Sequence, residues 1–110
     1  MTRIEKHGRV LVLRTTGALR SETISSLSKS VAGRLTGRCP AVVLDLSETP
    51  VVDGRALEWM LALSDECNRR GGTLNLCSVG PLCSEALRIT GVGSRIESHP
   101  DVTTAVDLLS

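Results

Sequence analysis

Short aliphatic runs alternate along the chain with segments in which apolar residues recur every three or four positions. The run Val10–Leu13 predicts a strand, and Ala41–Leu46 (AVVLDL) and Thr73–Cys77 (TLNLC) predict two more. Because AVVLDL is nearly all apolar, we expect that strand to be covered on both faces of its sheet. A further short strand is predicted near Arg95–Glu97.

The two helices of the first half of the chain have clear apolar faces and start signals. The spacing predicts one helix over Glu22–Leu35, with Ser21 as its N-cap and with Gly37 and Pro40 ending it. The second helix is predicted to follow Asp53, whose side chain can cap it. The apolar positions of the two helices are Ile24, Leu27, Val31, Leu35 and Ala56, Leu57, Met60, Leu63, Cys67.

Two shorter helices are predicted in the second half. Pro81 suits the first turn of one, which Gly91 closes, and Asp101 caps the other. The apolar face of the first of these is predicted to be Leu82, Ala86, Leu87 and Ile89. Strands therefore alternate with helices, and right-handed crossover connections make this an α/β sandwich. We expect a mainly parallel sheet of four to five strands, flanked by about four helices.

Composition and charge argue against nucleic-acid binding and against a membrane-spanning or secreted protein. The 110 residues suit a single domain over 1–110. Thirteen basic against twelve acidic residues give a net charge of +1, which supplies no bulk field for nucleic acid. With no Tyr or Phe and only Trp59, a base-stacking surface is not expected either. No apolar run approaches the roughly 20 residues of a membrane span, and the first eight residues are too polar for a secretory signal, so we expect a cytoplasmic protein.

The cysteines and histidines do not have the spacing of a metal site. No two cysteines are spaced C-x-x-C, and His7 and His99 lie in separate segments, so neither a metal nor a cofactor is predicted. We expect reduced, mostly buried thiols at Cys39, Cys67, Cys77 and Cys83. Cys83 and Arg88 have the C-x-x-x-x-R spacing of sulfur-transfer enzymes, but the intervening SEAL favours continuous helix over an anion-binding loop. A thiol enzyme is therefore disfavoured, and no catalytic residue is predicted.

Four segments carry a family resemblance. They are Leu13–Leu19 (LRTTGAL), Val43–Leu57 (VLDLSETPVVDGRAL), Arg70–Pro81 (RGGTLNLCSVGP) and Ile89–Val92 (ITGV). In this order they resemble a STAS domain of the bacterial anti-sigma factor antagonist type, over essentially the whole chain. The resemblance implies a STAS-like sandwich and a non-enzymatic switch in signal transduction and transcription regulation. The implied partner is an anti-sigma factor that is also a serine kinase, or another regulatory protein.

The resemblance also implies how that switch works. In the family, the loop before the second long helix reads D-S-[ST]-G-L, and the partner kinase phosphorylates its second hydroxyl residue. The added charge of about −1.5 to −2 in a contact surface releases the partner. Here Asp53 and Leu57 match the ends of this motif, but Gly54, Arg55 and Ala56 stand between them. Because Arg55 cannot accept phosphate from a serine kinase, we expect no phosphorylation switch at this position.

A partner-binding end is still expected from the resemblance, in the loop Ser47–Val52 and the start of the second helix. Its predicted residues are Thr49, Asp53, Gly54, Arg55, Glu58 and Trp59. Simpler interpretations remain open: Asp53 acts only as a helix cap, Arg55 is solvated, and Trp59 is half-buried core. Ser47 and Thr49 also remain as displaced phosphoacceptors.

The alternative is a ligand-binding STAS module for a nucleotide, a phosphate or a lipid-transport ligand. The acidic residue that the family has after the first strand is Arg20 here. Arg20, Gly54 and Arg55 would then form an anion site at a helix N-terminus. The sequence leaves the oligomeric state open.

Overall fold

A five-stranded sheet forms the centre of the structure, a computed structural model that describes residues 2–35, 37–38 and 41–109. Its strands follow one another in space in the order of the chain. They are β1 (Thr2–His7), β2 (Val10–Thr16), β3 (Ala41–Glu48), β4 (Leu74–Cys77) and β5 (Glu97–His99). β1 and β2 form an antiparallel hairpin, whereas β2, β3, β4 and β5 pair in parallel. The prediction of a mainly parallel α/β sheet is confirmed.

Four helices cover this sheet within the same described ranges. They are α1 (Ser21–Ala32), α2 (Gly54–Arg69), α3 (Pro81–Thr90) and α4 (Val102–Leu109), with a short 3₁₀ turn at Val92–Ser94. Buried residues of α1, α2 and α3 share the main hydrophobic core on one face. Ala105 of α4 belongs to a smaller cluster on the other face.

The central strands are apolar at consecutive positions because both faces of the sheet are covered. On β2, Leu11 and Leu13 lie in the main core, whereas Val10 and Val12 lie in the cluster under α4. β3 follows the same alternation, with Val43 on the α4 side. Because both faces are buried, the sequences of these strands are continuous aliphatic runs and do not alternate between apolar and polar residues.

Strand β1 was not predicted by the hydrophobic pattern. Its sequence, TRIEKH, is mostly exposed, and only Ile4 packs against the main core. A strand at the edge of a sheet buries little, so its sequence carries no strong apolar signal. Gly8, with φ +61°, makes the turn into β2, which is why the first pair of strands is antiparallel.

The predicted limits of α1 were wrong at both ends. The N-cap is Arg20 rather than Ser21, because the hydroxyl of Thr23 accepts a hydrogen bond from the backbone N–H of Arg20 at 3.1 Å. The helix ends at Ala32 with Gly33 as C-cap, although Leu35 beyond it is still buried. Of the predicted terminators, Pro40 lies outside the described residues.

The predicted apolar face of α3 was right for Leu87, which is buried, and for Ala86, which packs against the main core, but wrong for Leu82 and Ile89. Its buried residues are Cys83 and Leu87, which lie one turn apart on the inner side of the helix. Leu82 and Ile89 are 63% and 68% exposed. Cys83 is buried under the helix, as expected for the thiols, because Cys is small and commonly buried. β5 begins at Glu97, where the predicted strand ended.

A buried ion pair joins β2 to β3 near their carboxyl ends. Arg14 Nε donates to Asp45 Oδ2 at 2.8 Å, and the backbone N–H of Ser47 donates to Asp45 Oδ1 at 2.9 Å. Burial by itself would raise the pKa of Asp45, which is 2% exposed, but the hydrogen bonds from Arg14 and Ser47 outweigh it and the pKa is lowered. Asp45 is therefore ionised at neutral pH, and its ion pair with Arg14 stabilises the fold.

We expect Asp45→Asn to lower the free energy of unfolding by about 1–3 kcal/mol at pH 7, because the charge-assisted hydrogen bond is lost. The native pKa of Asp45 lies below its unfolded value, so this stabilisation is complete above about pH 4 and is lost as the pH falls through the native pKa. Urea titrations of both proteins between pH 7 and pH 3 should show the difference shrinking. A constant difference would contradict this role.

Candidate partner-binding surface

The first turns of α1 and α2 lie side by side at one end of the sheet. The segments that lead into these helices pair in parallel through an isolated bridge between Leu19 and Val52. Two hydrogen bonds hold this bridge: Leu19 N–H donates to the carbonyl of Val51 and Asp53 N–H donates to the carbonyl of Leu19, each at 3.0 Å. The two helix starts are thereby held next to each other at one end of the sheet.

The carboxylate of Asp53 caps both helix starts. Its Oδ1 accepts from the backbone N–H of Ala56 at 2.9 Å, inside the first turn of α2. Its Oδ2 accepts from the backbone N–H of Ser21 at 3.1 Å, at the first residue of α1. A negative charge there also interacts favourably with both helix dipoles. The prediction that Asp53 is an N-cap is confirmed, and the second helix start is an addition that only the structure shows.

The side chains predicted on α2 form a surface beside Asp53. Gly54, Arg55 and Glu58 are exposed, and Trp59 is half-buried with its ring packed against the main core. Arg55, Glu58 and Trp59 line one cavity together, on the side of α2 that faces α1. The structure therefore brings these residues together, while their contact with a partner stays a prediction.

Thr49 does not belong to this surface. Its side chain is buried, at 2% exposure. Its hydroxyl donates to the carbonyl of Thr15 at 3.1 Å and lies 2.5 Å from the Thr15 hydroxyl. Because the Thr49 hydroxyl is buried and hydrogen-bonded, neither a partner nor a kinase can reach it. The predictions that Thr49 contacts a partner or accepts phosphate are therefore wrong. Ser47, the other loop hydroxyl considered, is exposed.

The residues of the predicted anion site lie at the same edge. Arg20 precedes α1, and Gly54 and Arg55 begin α2; all three are exposed. The carboxylate of Asp53, however, bridges the two helix starts and already accepts hydrogen bonds from both. Its negative charge opposes the binding of a free phosphate at the same helix termini.

The cysteine environments disfavour thiol chemistry. Cys67, Cys77 and Cys83 are buried, whereas Cys39 lies outside the described residues. Burial raises the pKa of the Cys83 thiol, and burial together with Asp45 raises that of Cys77 to about 12. Such thiols stay protonated at neutral pH. Within the described ranges, no cluster of three or more potential metal ligands occurs.

The sequence analysis missed the contribution of α1 to this surface. Ser25, Ser28 and Lys29 line the same cavity as Arg55 and Trp59, from the opposite side. The pattern of α1 does place these polar residues away from its apolar face. It contains no signal for the helix that they approach, because that helix comes later in the chain.

Comparison with known proteins gives a family match and several structural neighbours. The STAS domain family model matches residues 1–105. An anti-sigma factor antagonist from Mycobacterium paratuberculosis is 21% identical, with a TM-score of 0.88 over 99% of this chain and 92% of that chain. An anti-sigma-factor antagonist (STAS) domain protein from Planctomyces limnophilus is 19% identical, with a TM-score of 0.90 over 98% and 97%.

The cell fate determinant SpoIIAA of Bacillus, in its phosphorylated form, is 14% identical, with a TM-score of 0.77 over all of both chains. At these identities the neighbours establish the fold. No match to this chain was found among curated proteins. In the part of the chain that the structure describes, no helix has the length and apolar character to cross a membrane.

We expect Asp53→Ala to lower the free energy of unfolding by about 1–2 kcal/mol, because two helix starts lose their acceptor. Asp101→Ala is the matched control, since Asp101 Oδ1 caps α4 alone by accepting from the N–H of Thr104 at 2.8 Å. The Asp53 variant should be the less stable of the two in urea titrations. Equal losses would mean that the bond to Ser21 contributes nothing.

Proposed function

This chain belongs to the STAS domain family, and from that premise we propose that it is a non-enzymatic protein-interaction module, similar to an anti-sigma factor antagonist. It acts in the cytoplasm in signal transduction and transcription regulation. Its partner is an anti-sigma factor, a serine kinase-like protein or another regulatory protein. It binds this partner through the start of α2, with Gly54, Arg55, Glu58 and Trp59 in contact and Asp53 holding them in place.

The observation that carries this proposal is the rigid presentation of an exposed surface. The Asp53 carboxylate fixes the first turn of α2 against that of α1, and the exposed side chains project from this fixed turn. A surface that is ordered before binding loses less conformational entropy when a partner docks. Trp59 adds a large apolar side chain at the edge of the exposed turn, as interaction hot spots commonly do.

The module is not switched by phosphorylation at the family position. Arg55 occupies that position in the first turn of α2, where it is exposed, and its guanidinium carries a permanent positive charge. The neighbouring hydroxyl of Thr49 is buried. Ser47 is therefore the exposed hydroxyl left in this loop, and it lies several residues before the family position.

The alternative function is a ligand-binding STAS module for a nucleotide, a phosphate or a lipid-transport ligand. Exposed Arg20 and Arg55 at adjoining helix starts favour it, while the carboxylate of Asp53 between those starts opposes it. A titration with inorganic phosphate, followed through the amide shifts of Arg20, Gly54 and Arg55, separates the two functions. Shifts that saturate at millimolar phosphate would support the ligand-binding module.

Incubation with the cognate kinase should leave the intact mass of the protein unchanged, because Arg55 has no hydroxyl to accept phosphate. Arg55→Ser is the matched control: it restores a hydroxyl at the family position and should gain one phosphate, mapped to residue 55 by fragmentation. Phosphate mapped to Ser47 in the unaltered protein would instead establish a displaced switch and contradict the proposal of a constitutive binder.

Trp59→Ala should weaken binding to the regulatory partner by about 2 kcal/mol or more, as expected for an aromatic hot-spot residue. Leu108→Ala is the control, because Leu108 is an exposed apolar residue on α4, which covers the opposite face of the sheet. Circular dichroism must show both variants folded before titration calorimetry compares their affinities. Unchanged affinity in folded Trp59→Ala would place the interface elsewhere.

A further inference from the structure

A groove runs along the whole contact between α1 and α2. Two cavities form it, one of about 450 Å³ near the helix starts and one of about 260 Å³ near their ends. Ser28, Trp59 and Ala62 line both cavities, so the two are continuous past the indole of Trp59. The α2 helix has 16 residues, which at 1.5 Å each gives the groove a length of roughly 24 Å.

The groove has an apolar floor with room above it. Val31 and Leu63, both buried, line its far half, and half-buried Trp59 lies at its middle. Two small side chains, Ser28 and Ala62, line both cavities together with Trp59. A side chain of a partner can therefore pack against Trp59 without displacing a bulky neighbour.

The charges around this floor are unequal. Lys29 on α1 and Arg55 on α2 line the half near the helix starts, and both are exposed. Among the residues that the structure describes, neither side chain has a hydrogen bond or an ion pair. Of the described residues, Glu58 is the one carboxylate that lines this half. In the other half, Glu66 pairs with both Arg69 and Arg70. The groove therefore has an excess of unpaired positive charge.

The unpaired positive charge of the groove is small, because two cations stand against the carboxylate of Glu58. A phosphate-rich ligand is a poor match for it. The two unpaired cations stand on different helices, and the carboxylates of Asp53 and Glu58 lie beside Arg55. An apolar floor flanked by separated cations instead matches a peptide segment that carries both apolar and acidic side chains.

We propose that the groove between α1 and α2 binds an acidic, amphipathic segment of a partner protein. The segment places an apolar side chain on Trp59 and carboxylates beside Lys29 and Arg55. The proposal rests on the proposed function for the existence of a protein partner, and it extends the contact surface from the start of α2 onto α1. Glu58 repels such a segment and limits its affinity.

A pair of synthetic peptides provides the probe. Each has roughly 15 residues, enough for four helical turns, with leucines spaced three and four apart. The remaining positions are glutamate in one peptide and lysine in the other. Trp59 is the only tryptophan, so its fluorescence reports binding directly. The glutamate peptide should shift the Trp59 emission to the blue and bind more weakly as salt is added, whereas the lysine peptide should not bind.

Three charge variants test the assignment. Lys29→Glu and Arg55→Glu should each lower the affinity for the glutamate peptide roughly tenfold at low salt, because each replaces an attractive charge with a repulsive one. Glu58→Gln should raise this affinity severalfold, because it removes a repulsive charge. The control is Lys6→Glu, an exposed site on β1 that undergoes the same substitution and change in net charge. It should leave the affinity unchanged. All four positions are exposed, so the variants are expected to fold.

Three outcomes would overturn the proposal: no response of Trp59 to the glutamate peptide, equal binding of the lysine peptide, or equal effects of Lys29→Glu and Lys6→Glu. The failure of the proposed function has a different signature. If the regulatory partner binds and loses affinity with Trp59→Ala but not with Lys29→Glu, the interaction module stands and only the acidic-segment assignment falls. If the peptide results hold but no regulatory partner binds, the proposed function falls.

Discussion

The candidate surface depends on one carboxylate that serves two helices. Asp53 accepts from Ala56 in α2 and from Ser21 in α1, and its own N–H donates to the carbonyl of Leu19. Helix starts leave backbone N–H groups without intrahelical acceptors, so they require partners of this kind. Because one side chain accepts from both helices, it holds their first turns together, in addition to the bridge between Leu19 and Val52, and so helps to shape the groove between the helices.

Polar contacts beneath the sheet edge hold the loop that leads to this site. Arg14 and Asp45 join β2 to β3. Thr15, the next residue of β2, then binds the loop: its carbonyl accepts from the Thr49 hydroxyl, and the two threonine hydroxyls share a hydrogen bond. Each of these groups is buried or partly buried and has its hydrogen-bond partner, so the edge is stabilised without an apolar plug. The loop before α2 therefore leaves the sheet in one defined direction.

An arginine at the start of a helix has an electrostatic cost that is informative about function. A cation in the first turn interacts unfavourably with the helix dipole, by a few tenths of a kcal/mol. Arg55 meets this cost beside the carboxylates of Asp53 and Glu58. A phosphoacceptor at that position would change the charge of the surface on demand, whereas the positive charge of Arg55 is permanent. Under the proposed function, binding is then controlled by the partner and by ionic conditions rather than by modification of this residue.

The sequence by itself determined those features that depend on neighbouring residues: the central strands, the four helices, the cap at Asp53 and the arginine at position 55. Their signals are periodicity and capping, which act within a few residues. The tertiary structure alone decided the pairing of β1, the exposure of Leu82 and Ile89 on α3, the burial of Thr49 and the position of Lys29 across from α2. Each of these depends on a distant segment: the hydroxyl of Thr49 bonds to Thr15, 34 residues away. Such contacts arise only when the sheet brings separate segments together, and local patterns therefore carry no signal for them.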